Sequence, residues 1–344
     1  MRRSVRWFWV TGLCFSAAIA FAQDVVLKGA GASFPDPLYQ QWIDRYSAQS
    51  GERIFYESVG SGEGIRRLLC GEVDFGATDA FISDRQMKDA PGEVFHMPTC
   101  AGAVVLAYNL PDQPQLRLTG RVIADIFMRK IRNWSHASIQ ELNPGIRLPN
   151  LDIVVLHRAD SSGTTFVFTD YLGKVSPEWE HKVGRGKDVR WPTGLGMERN
   201  GGIADFITRI PGSIGYLEYG YARRQGLPCA AIRNRSGWFA GPSEKTITAA
   251  ADVDIPDDTR VMITDTTAPK GYPVSTFTWL IFQRTSGSVT GSPGEDRQLH
   301  AFLDWILGPG QNQFGGLHYA PLPNRVVDKA QNIVHSMFET GSMK

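Results

Sequence analysis

Two periods of apolar spacing run along this chain: short apolar runs of strand length, and longer stretches with apolar residues three and four apart. Val25-Val26-Leu27 reads as a first strand, and Leu38, Trp42 and Tyr46, spaced by four, mark a helix behind it. Residues 53–59 read as a second strand, followed by a helix carrying Ile65, Leu68 and Leu69. Residues 73–80 give a third strand, and Ser83-Asp84 opens a short helix over 83–90. The small and apolar segment 98–109 is long enough to leave one domain and enter another. Helices are expected around 121–130 and 135–142, then a buried strand over 152–156 and a helix with Phe166, Phe168, Tyr171 and Leu172 on its apolar side. Residues 201–210 read as helix and 215–219 as strand. Periodicity is weak from 233 to 272, so irregular surface structure is expected there. Residues 274–282 form a strong strand, read as the return crossing. A Gly/Ser loop over 285–295 then precedes helices at 298–307 and 323–338.

Strands alternating with helices mean α/β architecture with largely parallel sheets, in which ligands sit beyond the carboxyl ends of strands. The 344 residues suggest two domains at ~150 residues each. A formal charge of +1 gives no support for a nucleic-acid partner, which would need a concentrated basic face, and none is expected. Residues 1–22 read as a signal peptide: Arg2, Arg3 and Arg6 precede the mostly apolar stretch 7–20, and Ala20-Phe21-Ala22 offers a cleavage site. Leu13 before Cys14 argues against a lipid anchor, where a small residue is wanted. No later segment is apolar for long enough to span a bilayer. The mature chain is therefore expected to be exported and periplasmic. Export permits a disulfide, but Cys70, Cys100 and Cys229 cannot all pair within one chain, and the sequence does not choose among them.

The candidate chemistry lies in three donor-rich turns at strand ends. His157-Arg158-Ala159-Asp160-Ser161-Ser162-Gly163-Thr164-Thr165 joins a strand to a helix N-terminus, where backbone N–H groups lack partners and the macrodipole favours anions. Ser162, Thr164 and Thr165 add O–H donors, Gly163 admits close approach, and the planar fork of Arg158 suits a tetrahedral oxyanion. Asp160 is placed to pair with Arg158. Gly29-Ala-Gly-Ala-Ser33-Phe34-Pro35 offers backbone N–H groups and the Ser33 hydroxyl; its Gly-x-Gly is not a dinucleotide fingerprint, because position 34 holds Phe. Gly60-Ser61-Gly62-Glu63-Gly64 is the second such turn, and no Gly-x-Ser-x-Gly nucleophile elbow can be drawn around Ser61. Asp79 ends the third strand. An ionised carboxylate is acceptor-only, so beside anion-friendly loops it would welcome a ligand oxygen bearing a proton and repel one without. The seven histidines are scattered with no metal spacing, so neither a metal nor a cofactor is expected and an exported phosphatase is disfavoured. His157 is read as structural.

With these turns go Lys130-Ile-Arg-Asn-Trp134, Leu142-Asn-Pro-Gly145, Trp191-Pro-Thr-Gly-Leu-Gly196 and Gly212-Ser-Ile-Gly-Tyr216. Together they make the chain resemble the phosphate-binding receptors of high-affinity bacterial phosphate ABC transporters, which are type II periplasmic binding proteins, over nearly the whole mature length. The resemblance implies a two-domain fold with a two-segment hinge, each domain a mostly parallel sheet flanked by helices. Domain I is then 23–100 plus 272–344 and domain II 101–271, with crossings near 98–103 and 268–274. It implies inorganic phosphate as ligand, membrane permease subunits as partners, a monomer, and no catalysis. Phosphate contacts are implied from Ser33, the Phe34 N–H, Ser61, Asp79, Arg158, Ser162, Gly163 and Thr164, with Asp160 supporting Arg158. Two departures stand out. Ser33 takes a position where relatives often have threonine, and Glu63 one usually held by Gly or Ser. Glu63 is expected to point outward, capping its helix from the first turn. The competing readings are a receptor for another tetrahedral oxyanion such as sulfate, or a phosphate-binding surface or signalling protein.

Overall fold

The computed structural model describes residues 26–339. The segment read as a signal peptide, with Cys14, lies outside the described residues. In chain order the elements begin β1 (Val26–Gly31), α1 (Asp36–Ser50), β2 (Arg53–Ser58), α2 (Ser61–Leu69), β3 (Phe75–Thr78) and α3 (Asp84–Lys88). The 16-residue strand β4 (Glu93–Tyr108) follows, then β5 (Arg117–Leu118), α4 (Gly120–Phe127) and α5 (Ala137–Gln140). Next come β6 (Val154–Arg158), α6 (Gly163–Val175), α7 (Pro177–Lys182), β7 (Leu195–Met197), α8 (Arg199–Arg209), β8 (Ser213–Glu218) and α9 (Tyr219–Arg224). The chain ends with β9 (Ala231–Arg233), β10 (Phe239–Ala240), α10 (Glu244–Ala251), β11 (Ser275–Arg284), α11 (Pro293–Leu307) and α12 (Asn324–Phe338).

Eight strands form one sheet in the order β2-β1-β3-β11-β4-β8-β6-β7, and β10-β9-β5 form a small second sheet. The large sheet is parallel toward both ends, where β1 pairs with β2 and β3, and β6 with β7 and β8. It is antiparallel in the middle, where β11 pairs with β3 and β4 and β4 pairs with β8. Strand β4 makes the sheet continuous: it pairs with β11 as far as Ala103 and with β8 from Val104.

The predicted stripe of α1 is buried, with Leu38 and Trp42 sealed and Tyr46 nearly so. Toward the other end of the sheet Phe127, Phe168, Tyr216 and Trp191 pack into one aromatic cluster. Each such large apolar side chain contributes about 1.5–3 kcal/mol on burial, which fixes the strand ends above these clusters firmly.

Three expectations need correction. The stretch read as irregular contains α10, whose Ser243 and Thr246 form a reciprocal capping box and whose Ile247, Ala250 and Ala251 are buried at helical spacing. The Gly/Ser loop ends earlier than expected, because Pro293 opens α11 with Glu295 and Asp296 in its first turn. Tyr219 is the first residue of α9 and not the end of a strand, because the side chain of Glu218 caps that helix. Cys70, Cys100 and Cys229 are all free thiols.

Candidate functional site

The carboxyl ends of β1, β2, β3 and β6 meet over the middle of the sheet. After β1 the chain turns through Ser33 and Phe34 into α1. Both residues are buried, and the Phe34 carbonyl accepts from the Tyr319 hydroxyl at 2.6 Å. After β2, Gly60 takes φ +94, a left-handed value that disfavours any side chain, and leads into α2 without a side-chain cap. The first turn of α2 therefore faces the site with donors of its own, starting at Ser61. Asp79 follows β3 and is only 1% exposed.

On the opposite side, β6 ends at Arg158. The Arg158 Nε donates to Asp160 Oδ1 at 2.6 Å, and Nη2 donates to Asp160 Oδ2. A third guanidinium nitrogen, Nη1, reaches Thr164 Oγ1 at 3.4 Å. Ser162 is the N-cap of α6, and its hydroxyl oxygen accepts from the Thr165 N–H at 3.1 Å. Gly163 starts the helix against the facing loops. A Cβ there would lie 2.4 Å from Ser61 Oγ and 2.7 Å from Asp79 Oδ2, so only glycine fits.

The two sides are in direct contact. The Gly62 N–H donates to the Ser161 carbonyl at 3.0 Å, Thr164 Oγ1 donates to Asp79 Oδ2 at 3.4 Å, and the Tyr221 hydroxyl donates to the Ser33 carbonyl at 2.9 Å. Ser61, Asp79, Arg158, Gly163 and Thr164 thus converge on one spot, with Ser33 joined to them through Asn200. The arrangement is a buried cage of O–H, N–H and guanidinium donors around one carboxylate. Burial pushes the Asp79 carboxyl up to about 7, against the opposing pull of the Thr278 hydroxyl, Arg158 and Thr164. Burial also presses upward on Asp160, but its bonds to Arg158 outweigh this and hold it below the usual carboxylate range.

Residues 19–309 match the family model described as the PBP superfamily domain. Phosphate-binding protein PstS of Pasteurella multocida (strain Pm70) is 37% identical over 324 residues, covering 93% of this chain and 92% of its own. Phosphate-binding protein PstS of Xylella fastidiosa (strain 9a5c) is 38% identical over 322 residues, covering 92% and 87%. The chain belongs to the PstS-type proteins of the PBP superfamily. The fold agrees with this. A high-affinity periplasmic phosphate-binding protein solved with phosphate (PfluDING) superposes with a TM-score of 0.72 at 18% identity, covering 90% of this chain and 93% of its own. An ABC-type phosphate transport receptor from Vibrio cholerae gives 0.57 at 17%, covering 86% and 100%.

Within this family fold, some details depart from the sequence reading. The Thr165 hydroxyl is not offered to the cage, because it is bonded to the Tyr216 hydroxyl at 2.6 Å; Tyr216 in turn accepts from the Arg158 N–H at 3.0 Å. Glu63 points outward as expected. It pairs with Arg66 and Arg67, each at 2.8 Å, and their hydrogen bonds lower its carboxyl to about 2. His157 turns away from the cage and stacks on Trp191, with ring centroids 5.0 Å apart. Sequence reasoning missed Thr278 and Asn200. Thr278 Oγ1 donates to Asp79 Oδ1 at 2.9 Å. It is a hydroxyl inside the apolar run of β11, and that is the signal that could have found it. Among the described residues no group of His, Cys, Asp and Glu could hold a metal ion, and no helix is long and apolar enough to cross a membrane.

Proposed function

We propose that this chain binds inorganic phosphate in the cage between the β1, β2 and β3 loops and the β6–α6 turn, and delivers it to the membrane permease subunits of an ABC transporter for import. The hydroxyls of Ser33, Ser61, Ser162 and Thr164, the N–H groups of Phe34 and Gly163, and the Arg158 guanidinium donate to phosphate oxygens. Asp79 accepts the proton of the ligand, and Asp160 holds Arg158 in place. One guanidinium faces two carboxylates, so net charge does not hold the anion. Dipoles do, at about 1.5–3 kcal/mol for each bond to the charged ligand. The observation that carries the reading is Asp79 itself: a carboxylate 1% exposed, surrounded by donors, is a place for an anion that brings a proton. Sulfate brings none at neutral pH.

Residues 1–22 act as a signal peptide for export to the periplasm, and the mature protein works as a monomer. It closes by a hinge between a domain of 23–100 plus 272–344 and a domain of 101–271. This division is supported by the change of partner along β4 after Ala103, and by the Val104 N–H donating to the Val274 carbonyl at 2.9 Å, which sets the two crossings side by side.

Isothermal titration of ligand-stripped residues 23–344 with phosphate and then sulfate, at a pH well above 7 where Asp79 is ionised, tests the reading. One-to-one phosphate binding with no sulfate heat is expected. Binding of both anions would keep the site and sink the Asp79 argument, and no phosphate binding would sink the function.

A further inference from the structure

Asn200 is completely buried, one residue into α8, and belongs to none of the three donor-rich turns. Its amide orientation is fixed by its surroundings. The Glu218 N–H at the end of β8 needs an acceptor and donates to Asn200 Oδ1 at 2.9 Å, so the NH2 faces the other way. There it donates to Ser33 Oγ at 3.1 Å and to Thr164 Oγ1 at 3.3 Å. The backbone N–H of Asn200 also donates to Ser33 Oγ, at 3.3 Å. The N-cap residue of α8, Glu198, makes no side-chain cap, and Ser33, just past β1, meets this first-turn N–H instead.

A hydroxyl has one hydrogen and two acceptor lone pairs. At Ser33 both lone pairs are taken by N–H groups of Asn200. At Thr164 they are taken by Asn200 Nδ2 and by Arg158 Nη1 at 3.4 Å. Neither oxygen can accept further, so each single hydrogen can only donate; that of Thr164 goes to Asp79 Oδ2 at 3.4 Å until a ligand oxygen takes its place. We propose that Asn200 is the positioning residue that fixes the Ser33 and Thr164 hydroxyls as donors toward the bound anion, and that it does so for Ser33 only when the β1 loop is closed onto α8. This rests on the phosphate reading above and adds to it a source for the polarity of the cage. Without Asn200 each hydroxyl is free to turn, and part of its population accepts toward the ligand, where an anion needs a donor.

The test is a double-mutant cycle read by phosphate titration on the mature chain, with Asn200→Ala made in the wild type and in Ser33→Ala. Asn200→Ala is expected to weaken phosphate about tenfold or more in the wild type, and by a clearly smaller factor once Ser33 has no hydroxyl to orient. A purely structural role would move the ligand-free melting temperature and give equal factors in the two backgrounds, and that result would overturn the proposal. Should the alanine variant not fold, Asn200→Asp replaces it. Aspartate keeps the shape and the acceptor for Glu218, and a carboxylate is favoured in the first turn of a helix. It also draws both hydroxyls onto itself, so it is expected to lose at least as much phosphate affinity at an unchanged melting temperature; wild-type affinity in this variant would refute the idea. The wild-type titration separates the two failures: no phosphate binding there removes the function itself, whereas binding with additive factors removes only the role of Asn200.

Discussion

Two strand ends on this sheet carry a sealed carboxylate, and they differ in what faces it. Asp79, just past β3, and Glu218, the last residue of β8, are at most 1% exposed, and burial raises them to about 7 and about 8. Glu218 accepts from two backbone N–H groups of α9, those of Gly220 at 2.7 Å and Tyr221 at 3.2 Å. Asp79 accepts from hydroxyls, those of Thr278 and Thr164. A backbone N–H in a helix turn has one direction and no alternative. A hydroxyl rotates, and can give its hydrogen to whatever arrives. Glu218 is therefore committed to a helix cap, while Asp79 can exchange a partner for a ligand. Burial and a raised pKa are common to both, so neither property alone marks a binding group.

The largest effect is expected from breaking the exchangeable end. Asp79→Asn replaces a charged acceptor by an amide that can also donate. Phosphate should bind about ten- to a hundredfold more weakly, the value of one charge-assisted bond, and the gap to sulfate should narrow in a competition titration. Wild-type discrimination by this variant would remove the proton-acceptor role. The pKa near 7 sharpens the point: a protonated Asp79 donates, and so tolerates sulfate. In the wild type, sulfate binding should therefore grow as pH falls through about 7, while in the asparagine variant it should not.

A smaller effect, on stability and not on binding, is expected at the committed end. Glu218 keeps its proton up to about 8 when folded and loses it near 4.5 when unfolded. The unfolded state therefore ionises first, and Glu218 lowers the stability of the ligand-free protein as pH rises from 4.5 to 8. Glu218→Gln should flatten that part of a melting-temperature profile and cost about 0.5–2 kcal/mol as a weakened cap, with phosphate affinity held within about threefold. An unchanged pH profile would mean that Glu218 is not the buried acid it looks to be.

Much of this was legible beforehand, for a physical reason. Strand–turn–helix units keep their ligand groups local, so Arg158, Asp160 and the α6 turn could be read from one stretch of sequence, and Asp79 from the end of one strand. The α1 stripe at Leu38, Trp42 and Tyr46 was legible because a helix repeats its buried face. Groups that act across the sheet were not legible. Thr278 meets Asp79 from β11, 199 residues away, and Asn200 meets Ser33 from α8, 167 residues away. Nothing local distinguishes Asn200 from an ordinary residue in a helix's first turn. Thr165 misled for the same reason, since its partner Tyr216 lies 51 residues on. The missed α10 is different: its capping box and apolar spacing are local, but the glycines, prolines and aspartates around it mask the period.

The smallest effect is expected from a third carboxylate, Glu63, which stands in the first turn of α2 beside the cage. The sequence marks it as an intruder, since a negative charge there would oppose an incoming anion. The structure gives it two cations, with Arg66 and Arg67 both at 2.8 Å, and these are shared in turn with Glu72 and Glu57. The cluster keeps one net negative charge, but it is open to solvent, where ions screen it within about 8 Å at 0.15 M salt. Unlike Asp79 it has no desolvated partner to lose, and unlike Glu218 it caps nothing that the fold requires. Glu63→Gln should therefore leave phosphate affinity unchanged within about twofold at that ionic strength. A tenfold gain in the same titration would show that its field reaches the ligand, and that the loop after β2 is tuned for weaker binding.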